Sequence, residues 1–574
     1  MKSIRNVWRY LNIEAYIYSA TYIKKQLMKF LKIILILFST VVFSQNFSIS
    51  KVDSLFKEYE NTDDPGASLG IIKDGKLIYK NGYGSADLEH NIPLTEHSVF
   101  NIASITKQFV AFSILLLEEQ GKLNLEDPIQ KHLPDFPKYA SPITLSHLIH
   151  HTSGLRDSGV LLYLKGINSL DNIDPADLYK LIKSQKELNF PTGEEFSYSN
   201  SGYFLLVKII EKVSGKSIDE FGQHYIFKPL GMSNTVFYND NTKLIKNRVF
   251  SYHHNEYGEF ENQIIRSDIV GPSGIYTTIE DIYLWDQNFY DNKLGKGNQE
   301  IIDKMQTESK LNDGKGSGYS FGQFPRSYKG YKTISHGGDK AGFKTQYLRV
   351  PELHLSIIIF ANRDDIKRYQ KTYQILNLFI DKVENNESNN QIEDSEVKIT
   401  DLEFFKGAYE LQPGIEMEIT IENKSLKVFQ KWDKQDYLLK FKEGNTYIVP
   451  EDNSLSFTFL ENKFEKFQKL EIKQDNTTST FKRLAKSSGE INFNDYVGNY
   501  YSEELDTTYT ILIKDSQLVI EFSPGQSSSL LVSRDRGNCE RLFLEFTRKD
   551  NVVNGFKGTA NERARNIVFR RITH

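Results

Sequence analysis

FNIASITKQFVAFSILLLEEQGK, residues 100–122, contains the helix around which the rest of this chain is read. Ile105, Phe109, Phe112 and Leu116 recur at the 3.6-residue period of a buried helix, and Gly121 stands at the expected C-terminal stop. The helix is expected to begin near Ser104, which places Lys107 on the same face one turn on. A serine nucleophile needs a neighbour to take its proton, and a partly desolvated lysine can do so because burial disfavours its charged form. A helix N-terminus also offers backbone N–H groups to an oxyanion. Three further S-x-x-K matches, at Ser54, Ser395 and Ser479, have no such helix around them. Taken alone, Ser104 can equally be a helix-capping serine.

Outward from this helix the chain alternates strand and helix signals. ASLGIIKDGKLIYKNGYG, residues 67–84, has two apolar runs about Asp74-Gly75, the turn pair of a tight antiparallel hairpin. A second helix is expected after Asn200 and ends at Gly215. KTISHGG, AGFKTQYLRVPE and LHLSIIIFANR then read as successive strands, with Pro351-Glu352 closing one turn. Helices between an early hairpin and a late meander give an α/β sandwich with a mainly antiparallel sheet built from both ends of the domain.

At 574 residues the chain needs more than one core. Its 71 Lys+Arg and 75 Asp+Glu leave a net charge of −4, which argues against nucleic-acid binding through bulk charge, and 39% hydrophobic residues argue against disorder. The lone Cys539 excludes an intramolecular disulfide and a multi-cysteine metal site. MKFLKIILILFSTVVFSQ from Met28 has the basic start and short apolar run of a secretory signal, with Ser44-Gln45 as the cleavage position. Residues 1–44 are therefore expected to be an N-terminal extension and signal peptide, residues 1–27 reflecting an early start codon. The expected location is exported, periplasmic or extracellular, with no stable membrane span after cleavage; an uncleaved anchor is the alternative.

Residues 46–385 form the expected catalytic domain and the polar residues 386–399 a linker. Beyond them the chain repeats itself. FKGAY at Phe405 matches YVGNY at Tyr496, with Gly407 and Gly498 91 residues apart, and FKRL at Phe481 matches FRRI at Phe569. Two small all-β barrel-like units, residues 400–485 and 490–574, are expected, serving as stabilising or spacing modules.

Three other motifs bear on chemistry. Tyr198-Ser199-Asn200 lies in a loop before the second helix; beside a cationic lysine, a tyrosine can yield a phenolate base, and Asn200 can orient the lysine or a substrate amide. His336-Gly337-Gly338 is read as ending an apolar strand, its glycines admitting a substrate backbone to the edge, although a lone histidine there can equally be a surface residue. Gly318-Tyr319-Ser320-Phe321-Gly322 matches G-x-S-x-G but lacks the strand before and helix after that a nucleophile elbow requires. No metal or cofactor is expected, because no His/Asp/Glu cluster has ligand spacing and His150-His151 are adjacent.

In order, Ser104-x-x-Lys107, Tyr198-x-Asn200 and His336-Gly337-Gly338 make the chain resemble the beta-lactamase-related serine hydrolases: class C beta-lactamases, D-alanyl-D-alanine carboxypeptidases, D-aminopeptidases and esterases of that fold. LSHLIHHTSGLRD, FKPLGMSNT and GPSGIYTTIEDIYLW are similar to the family's connecting segments, and the C-terminal units resemble lipocalin-like appendages. The resemblance implies a penicillin-binding-protein-like sandwich with a helical subdomain. It further implies Ser104 as acylated nucleophile, Lys107 as its proton acceptor, Tyr198 as general base and acid, and Asn200 as a positioning group. His336 would replace the lysine of K-T-G, next to Gly337 and Gly338, and the N–H groups of Ser104 and Asp339 would form an oxyanion hole. A partly charged histidine, and no hydroxyl at Gly337, weigh against beta-lactams and toward small peptide, amide or ester substrates, cell-wall-derived ones among them. The rival reading is a non-catalytic envelope module that binds peptidoglycan peptides or a partner.

Overall fold

The computed structural model describes residues 49–380 and 402–572, apart from residues 413–414, 432–434, 451, 461–467, 475–476, 485–490 and 524–525. The expected signal peptide and the linker at 386–399 lie outside the described residues. Among the described residues no helix is long and apolar enough to cross a membrane. The chain divides into two compact units, residues 1–57 with 373–382 and residues 58–372 with 383–574, and the elements below belong to the second.

The expected hairpin is strands β1 (Ala67–Lys73) and β2 (Lys76–Tyr83). Asp74 and Gly75 have φ of 49° and 73°, the left-handed pair that a two-residue hairpin requires. The late meander is β3 (Phe324–Tyr328), β4 (Tyr331–Lys340), β5 (Phe343–Val350) and β6 (Leu355–Ala361). The sheet order is β3-β4-β5-β6-β1-β2 with every neighbouring pair antiparallel, so the two ends of the domain meet at β6 and β1.

Four helices matter most for the site: α1 (Thr106–Glu119), α2 (Ser158–Lys165), α3 (Asn200–Ser214) and α4 (Ile279–Asn288). Every residue of α1 from Thr106 to Leu117 is buried, as expected of a helix enclosed on all sides. The rings of Phe109 and Phe112 pack on Trp285 of α4 at centroid distances of 4.5 and 5.3 Å. Where α4 crosses β1, a Cβ on Gly70 would lie 2.4 Å from Ile279, so only glycine fits. α3 stops at Gly215 in the left-handed conformation. Two boundaries differ slightly from expectation. α1 begins at Thr106, with Ser104 in a preceding single 3-10 turn (Ala103–Ile105), and α3 begins at Asn200 itself.

The first C-terminal unit is a closed barrel of eight strands running from Gly407–Gln412 to Thr477–Arg483. The second is a nine-stranded sheet that ends with β7 (Val552–Ala560) and β8 (Ala564–Ile572). The sequence repeat is a physical repeat. In each unit an arginine of the last strand covers a glycine of the first: Arg483 donates to the Lys406 carbonyl over Gly407, and Arg571 to the Val497 carbonyl over Gly498. Two residues beyond each glycine a buried tyrosine reaches back four residues, Tyr409 to the Phe405 carbonyl (2.9 Å) and Tyr500 to that of Tyr496 (2.6 Å).

The second C-terminal unit is packed into the N-terminal body and is no free-standing spacer. Arg156 Nη1 donates to Glu504 Oε1 at 2.7 Å, both side chains being nearly inaccessible. The same guanidinium donates to Gln185 Oε1 and to the carbonyls of Arg565 and Asn566, while Glu504 also accepts from the N–H of Lys186 and of Val568. Lys165 adds a bond to the Leu505 carbonyl. Removing one partner strands the other charge in the interior, so Arg156→Ala is expected to destabilise the protein by about 3–5 kcal/mol. Thermal unfolding followed by circular dichroism tests this; an unchanged midpoint would show that the pair is dispensable.

Candidate active site

Ser104 is presented by a strained turn. Ala103 has φ of 47°, uncommon for a residue with a Cβ, and is held there by its N–H bond to Asn101 Oδ1 at 2.8 Å. β4 presses on this turn from one side. A Cβ on Gly338 would lie 2.6 Å from the Ile102 carbonyl oxygen and 2.8 Å from Ala103 Cβ, so Gly338 serves close approach to the serine turn. From the other side Gly322 closes on α1, where a Cβ would lie 2.6 Å from Gln108 N.

The enclosure leaves the Lys107 side chain no solvent contact. Its Nζ has three neighbours: Ser104 Oγ at 3.2 Å, Asn200 Oδ1 at 3.0 Å and the Pro272 carbonyl at 2.8 Å. Burial pushes the amine well below the ordinary lysine pKa; Asp157 opposes this and Arg563 adds to it. A neutral amine has two N–H donors and one lone pair. The donors match Asn200 and Pro272, which leaves the lone pair facing the Ser104 hydroxyl. That arrangement can take the serine's proton.

Tyr198 completes the group, with its ring centroid 4.8 Å from Lys107 Nζ. The expected phenolate is reversed here. Burial pushes the phenol well above its usual value, Ser104 and the Arg563 charge offsetting only part, and burial likewise disfavours the lysine cation that the expectation required. Tyr198 therefore holds its proton and is suited to give it away.

His336 also differs from its sequence reading. It lies within β4, which runs on to Lys340 instead of ending at the glycines, and it is buried. Burial, then the Lys107 amine, lower its pKa to about 3, so it is neutral and not partly charged at physiological pH. Nδ1 faces the Gly337 carbonyl, which can only accept, so Nε2 accepts from the Tyr319 hydroxyl at 3.1 Å. At Gly337 a Cβ would lie 2.4 Å from the Tyr369 hydroxyl and 2.8 Å from Gln346 Oε1, so a threonine there would have to displace both side-chain ends. β3 pairs only with Tyr331 to Ser335, so beyond Ser335 the outer edge of β4 has no strand partner among the described residues. The Asp339 carboxylate is engaged away from the serine by Arg368 and Lys344.

Sequence reasoning missed four contributors. His151, itself at φ of 59°, accepts from Ser199 N through Nδ1 at 3.1 Å and from Ser197 N through its carbonyl at 2.9 Å, bracketing Tyr198 from both sides. Tyr319, in the rejected G-x-S-x-G stretch, packs on the His151 ring at 4.7 Å, while Ser320 itself is buried and donates to the Gln323 carbonyl. Asp157 caps α2 through Oδ1 and accepts from Asn200 N through Oδ2 at 2.6 Å. Arg563, from the turn between β7 and β8, lies over the Tyr198 ring at 5.1 Å. The segment LSHLIHHTSGLRD carried two of these, His151 and Asp157, but only as a family likeness; no local signal marked Arg563. The ground given for expecting no metal needs correction, since His254, Asp364 and Asp365 converge from distant positions. Arg363 already holds Asp365, and His254 already holds Asp364. Burial pushes the Cys539 thiol up to about 11.

With this geometry in place, the comparison with known proteins is direct. The family model for beta-lactamase matches residues 52–378, more than half the chain. The chain belongs to the beta-lactamase family. This is a family of serine hydrolases, and its members include relatives named for penicillin binding and for D-aminopeptidase activity. A penicillin-binding protein of Bacillus subtilis (strain 168) is 27% identical over 418 residues, 67% of this chain and 91% of that one. A D-aminopeptidase of Gluconobacter oxydans (strain 621H) is 26% identical over 298 residues, 52% of this chain and 56% of that one. In fold, the octameric penicillin-binding protein homologue from Pyrococcus abyssi superimposes with a TM-score of 0.54 at 23% identity, covering 76% of this chain and all of that one.

The electrostatics set a pH dependence. Ser104 can lose its proton to Lys107 only while the amine is neutral, so reactivity is retained above the Lys107 pKa and lost as pH falls through it. Among the groups facing the amine, Asp157 favours its charged form, whereas Arg563 and the neutral His151, His336 and Tyr198 do not. Asp157→Asn is expected to lower the Lys107 pKa further. The acid limb of Ser104 phosphonylation, followed with a fluorescent phosphonate, then moves to lower pH; a limb that stays or moves up contradicts the assignment.

Proposed function

We propose that the chain is an exported serine hydrolase that cleaves an amide or ester bond through an acyl-serine intermediate, of D,D-peptidase, D-aminopeptidase or esterase type. The observation that carries the reading is the fully buried Lys107 amine, held well below the ordinary lysine pKa by desolvation, 3.2 Å from Ser104 Oγ. Ser104 Oγ attacks the substrate carbonyl as its proton passes to Lys107. The oxyanion is received by the N–H groups of Ser104 and Asp339, the latter on the stretch of β4 without an outer strand partner. Tyr198 gives its proton to the leaving amine or alcohol and is reprotonated by Lys107, so the net transfer runs from Ser104 to the leaving group. Water then attacks the acyl-serine by the same path in reverse, releasing the acid and restoring Ser104.

The names of the relatives in Bacillus and Gluconobacter support peptide or D-amino acid substrates. The neutral His336 and the Tyr369 hydroxyl beside Gly337 weigh against beta-lactams, since His336 and Gly337 themselves supply neither a fixed cation nor a hydroxyl. Ser104→Ala is expected to abolish phosphonate labelling and lower turnover of a D-amino acid p-nitroanilide or a p-nitrophenyl ester by about three orders of magnitude or more. Unchanged labelling and turnover would remove Ser104 from the role of nucleophile, whereas an unmodified chain that shows neither would leave the non-catalytic envelope module as the surviving reading. Export is tested by amino-terminal sequencing of the mature chain, expected to start at Gln45; a mature chain that retains residues 28–44 would favour the tethered alternative.

A further inference from the structure

Gly337 leaves a place on β4 that a side chain from elsewhere fills. It stands between His336, whose ring centroid is 6.0 Å from that of Tyr198, and Gly338, which rests on the serine turn. A Cβ on Gly337 would lie 2.4 Å from the Tyr369 hydroxyl and 3.1 Å from Tyr369 Cζ, so the end of that phenol occupies the space in which a side chain on this strand would begin. Tyr369 comes from the first turn of helix α5 (Arg368–Leu376), and it is near enough to Tyr198 for a charge on it to bear on that phenol.

This hydroxyl is mounted firmly and still has a bond to give. Tyr369 is 51% exposed, whereas Arg368 and Gln346 are buried. The phenol oxygen accepts from Arg368 Nη2 at 3.3 Å, and among the described residues its own proton has no acceptor. Gln346 Oε1, 2.8 Å from the same Cβ position, is buried and also without a partner. Arg368 holds the ring in place, because its Cζ lies 4.6 Å from the Tyr369 ring centroid while its guanidinium is anchored through two bonds to the Asp339 carboxylate. Lys344 is directed to the same carboxylate. Both cations are thus paired, and what Tyr369 presents beside Gly337 is an uncharged O–H donor.

We infer that Tyr369 is a substrate-binding residue whose hydroxyl donates to a carbonyl oxygen on the leaving residue of the substrate. The inference rests on the hydrolase reading above and narrows its substrate to a bond between two amino-acid residues, since a simple alkyl amide or ester has no such oxygen. The side of the scissile bond follows from Tyr198. That phenol gives its proton to the leaving group, and the His336-Gly337 stretch of β4, with Tyr369 over it, lies on the Tyr198 flank of Ser104. The hydroxyl that Gly337 cannot carry on the strand is therefore supplied from a helix, and the glycine is required because the phenol takes its side-chain space. No covalent step is involved; Tyr369 binds and orients.

The test measures binding in a full-length chain that cannot turn over. N-acetyl-D-alanyl-D-alanine methylamide, and N-acetyl-D-alanine isopropylamide, which has the same leaving side without its carbonyl, are titrated calorimetrically into Ser104→Ala. The titrations are repeated in Ser104→Ala with Tyr369→Phe, which keeps the ring on Arg368 and removes only the hydroxyl. The methylamide is expected to bind Ser104→Ala more tightly than the isopropylamide. Tyr369→Phe should weaken the methylamide about 3- to 10-fold, the worth of one neutral hydrogen bond, and the isopropylamide less than about twofold. Retained isopropylamide binding also reports that the site remains folded. In a second pair, adding Gly337→Thr to Tyr369→Ala places a hydroxyl back on the strand once the phenol is gone, and should recover methylamide affinity to within about threefold of Ser104→Ala. Equal affinities for the two probes, no effect of Tyr369→Phe, equal losses for both probes, or no binding of either would overturn the inference. Phosphonate labelling of Ser104 in the unmodified chain reports separately on the hydrolase reading, so the two can fail independently.

Discussion

The desolvation of one amine organises this molecule. Lys107 stands at the foot of a helix buried on every side, and the structure offers its nitrogen two acceptors and one hydroxyl, the complement of a neutral amine. Several unusual local features serve that enclosure. Gly322 lies against the Lys107-Gln108 backbone where any side chain would collide, Gly338 lets β4 settle on the serine turn, and Ala103 accepts a left-handed conformation so that Ser104 faces the lysine. Each imposes local strain or limits the residue choice, and together they bring the backbone close around Lys107.

A second constraint ties the appended β unit to this centre. Arg156 and Asp157 are consecutive, and both face two ways. Arg156 ion-pairs with Glu504 of the second unit, while Asp157 takes the Arg563 carbonyl on its N–H and supports Asn200, a partner of Lys107, through its carboxylate. A buried ion pair contributes little net stability against an apolar replacement, because desolvation offsets most of the attraction. Its geometric demands are strict, and here they hold the β7–β8 turn in register with the loop of Tyr198. The C-terminal repeat is therefore coupled to the site through neighbouring residues and not through a flexible tether.

Much of the fold was legible from one-dimensional patterns because those patterns are local. Asp74-Gly75 supplies the left-handed pair of a hairpin, the 3.6-residue period of Ile105, Phe109, Phe112 and Leu116 marks the central helix, and the 91-residue repeat returns as the same arginine-over-glycine device in both units. Ser104 and Lys107 were readable for the same reason, since their contact spans one helical turn. His151 was not, because its function is to bracket Tyr198 from 47 residues away through one ring nitrogen and one carbonyl. Tyr319 was hidden inside a motif rejected on context, and Arg563 lies in a turn that resembles any other polar turn.

The sequence alone determined the pairing of Ser104 with Lys107, the sandwich built from both chain ends, and the two β repeats, all of which follow from residue types at short or periodic spacing. The tertiary structure decided the proton affinities: a lysine and two histidines pushed down by burial, and a tyrosine pushed up so that it keeps its proton, against the phenolate that its neighbours suggested. It also decided that a permanently charged group reaches the site from the far end of the chain. The physical reason is the same in each case. A pKa or an electrostatic field depends on how much water is excluded and on which charges stand nearby in space, and neither quantity is set by order along the chain.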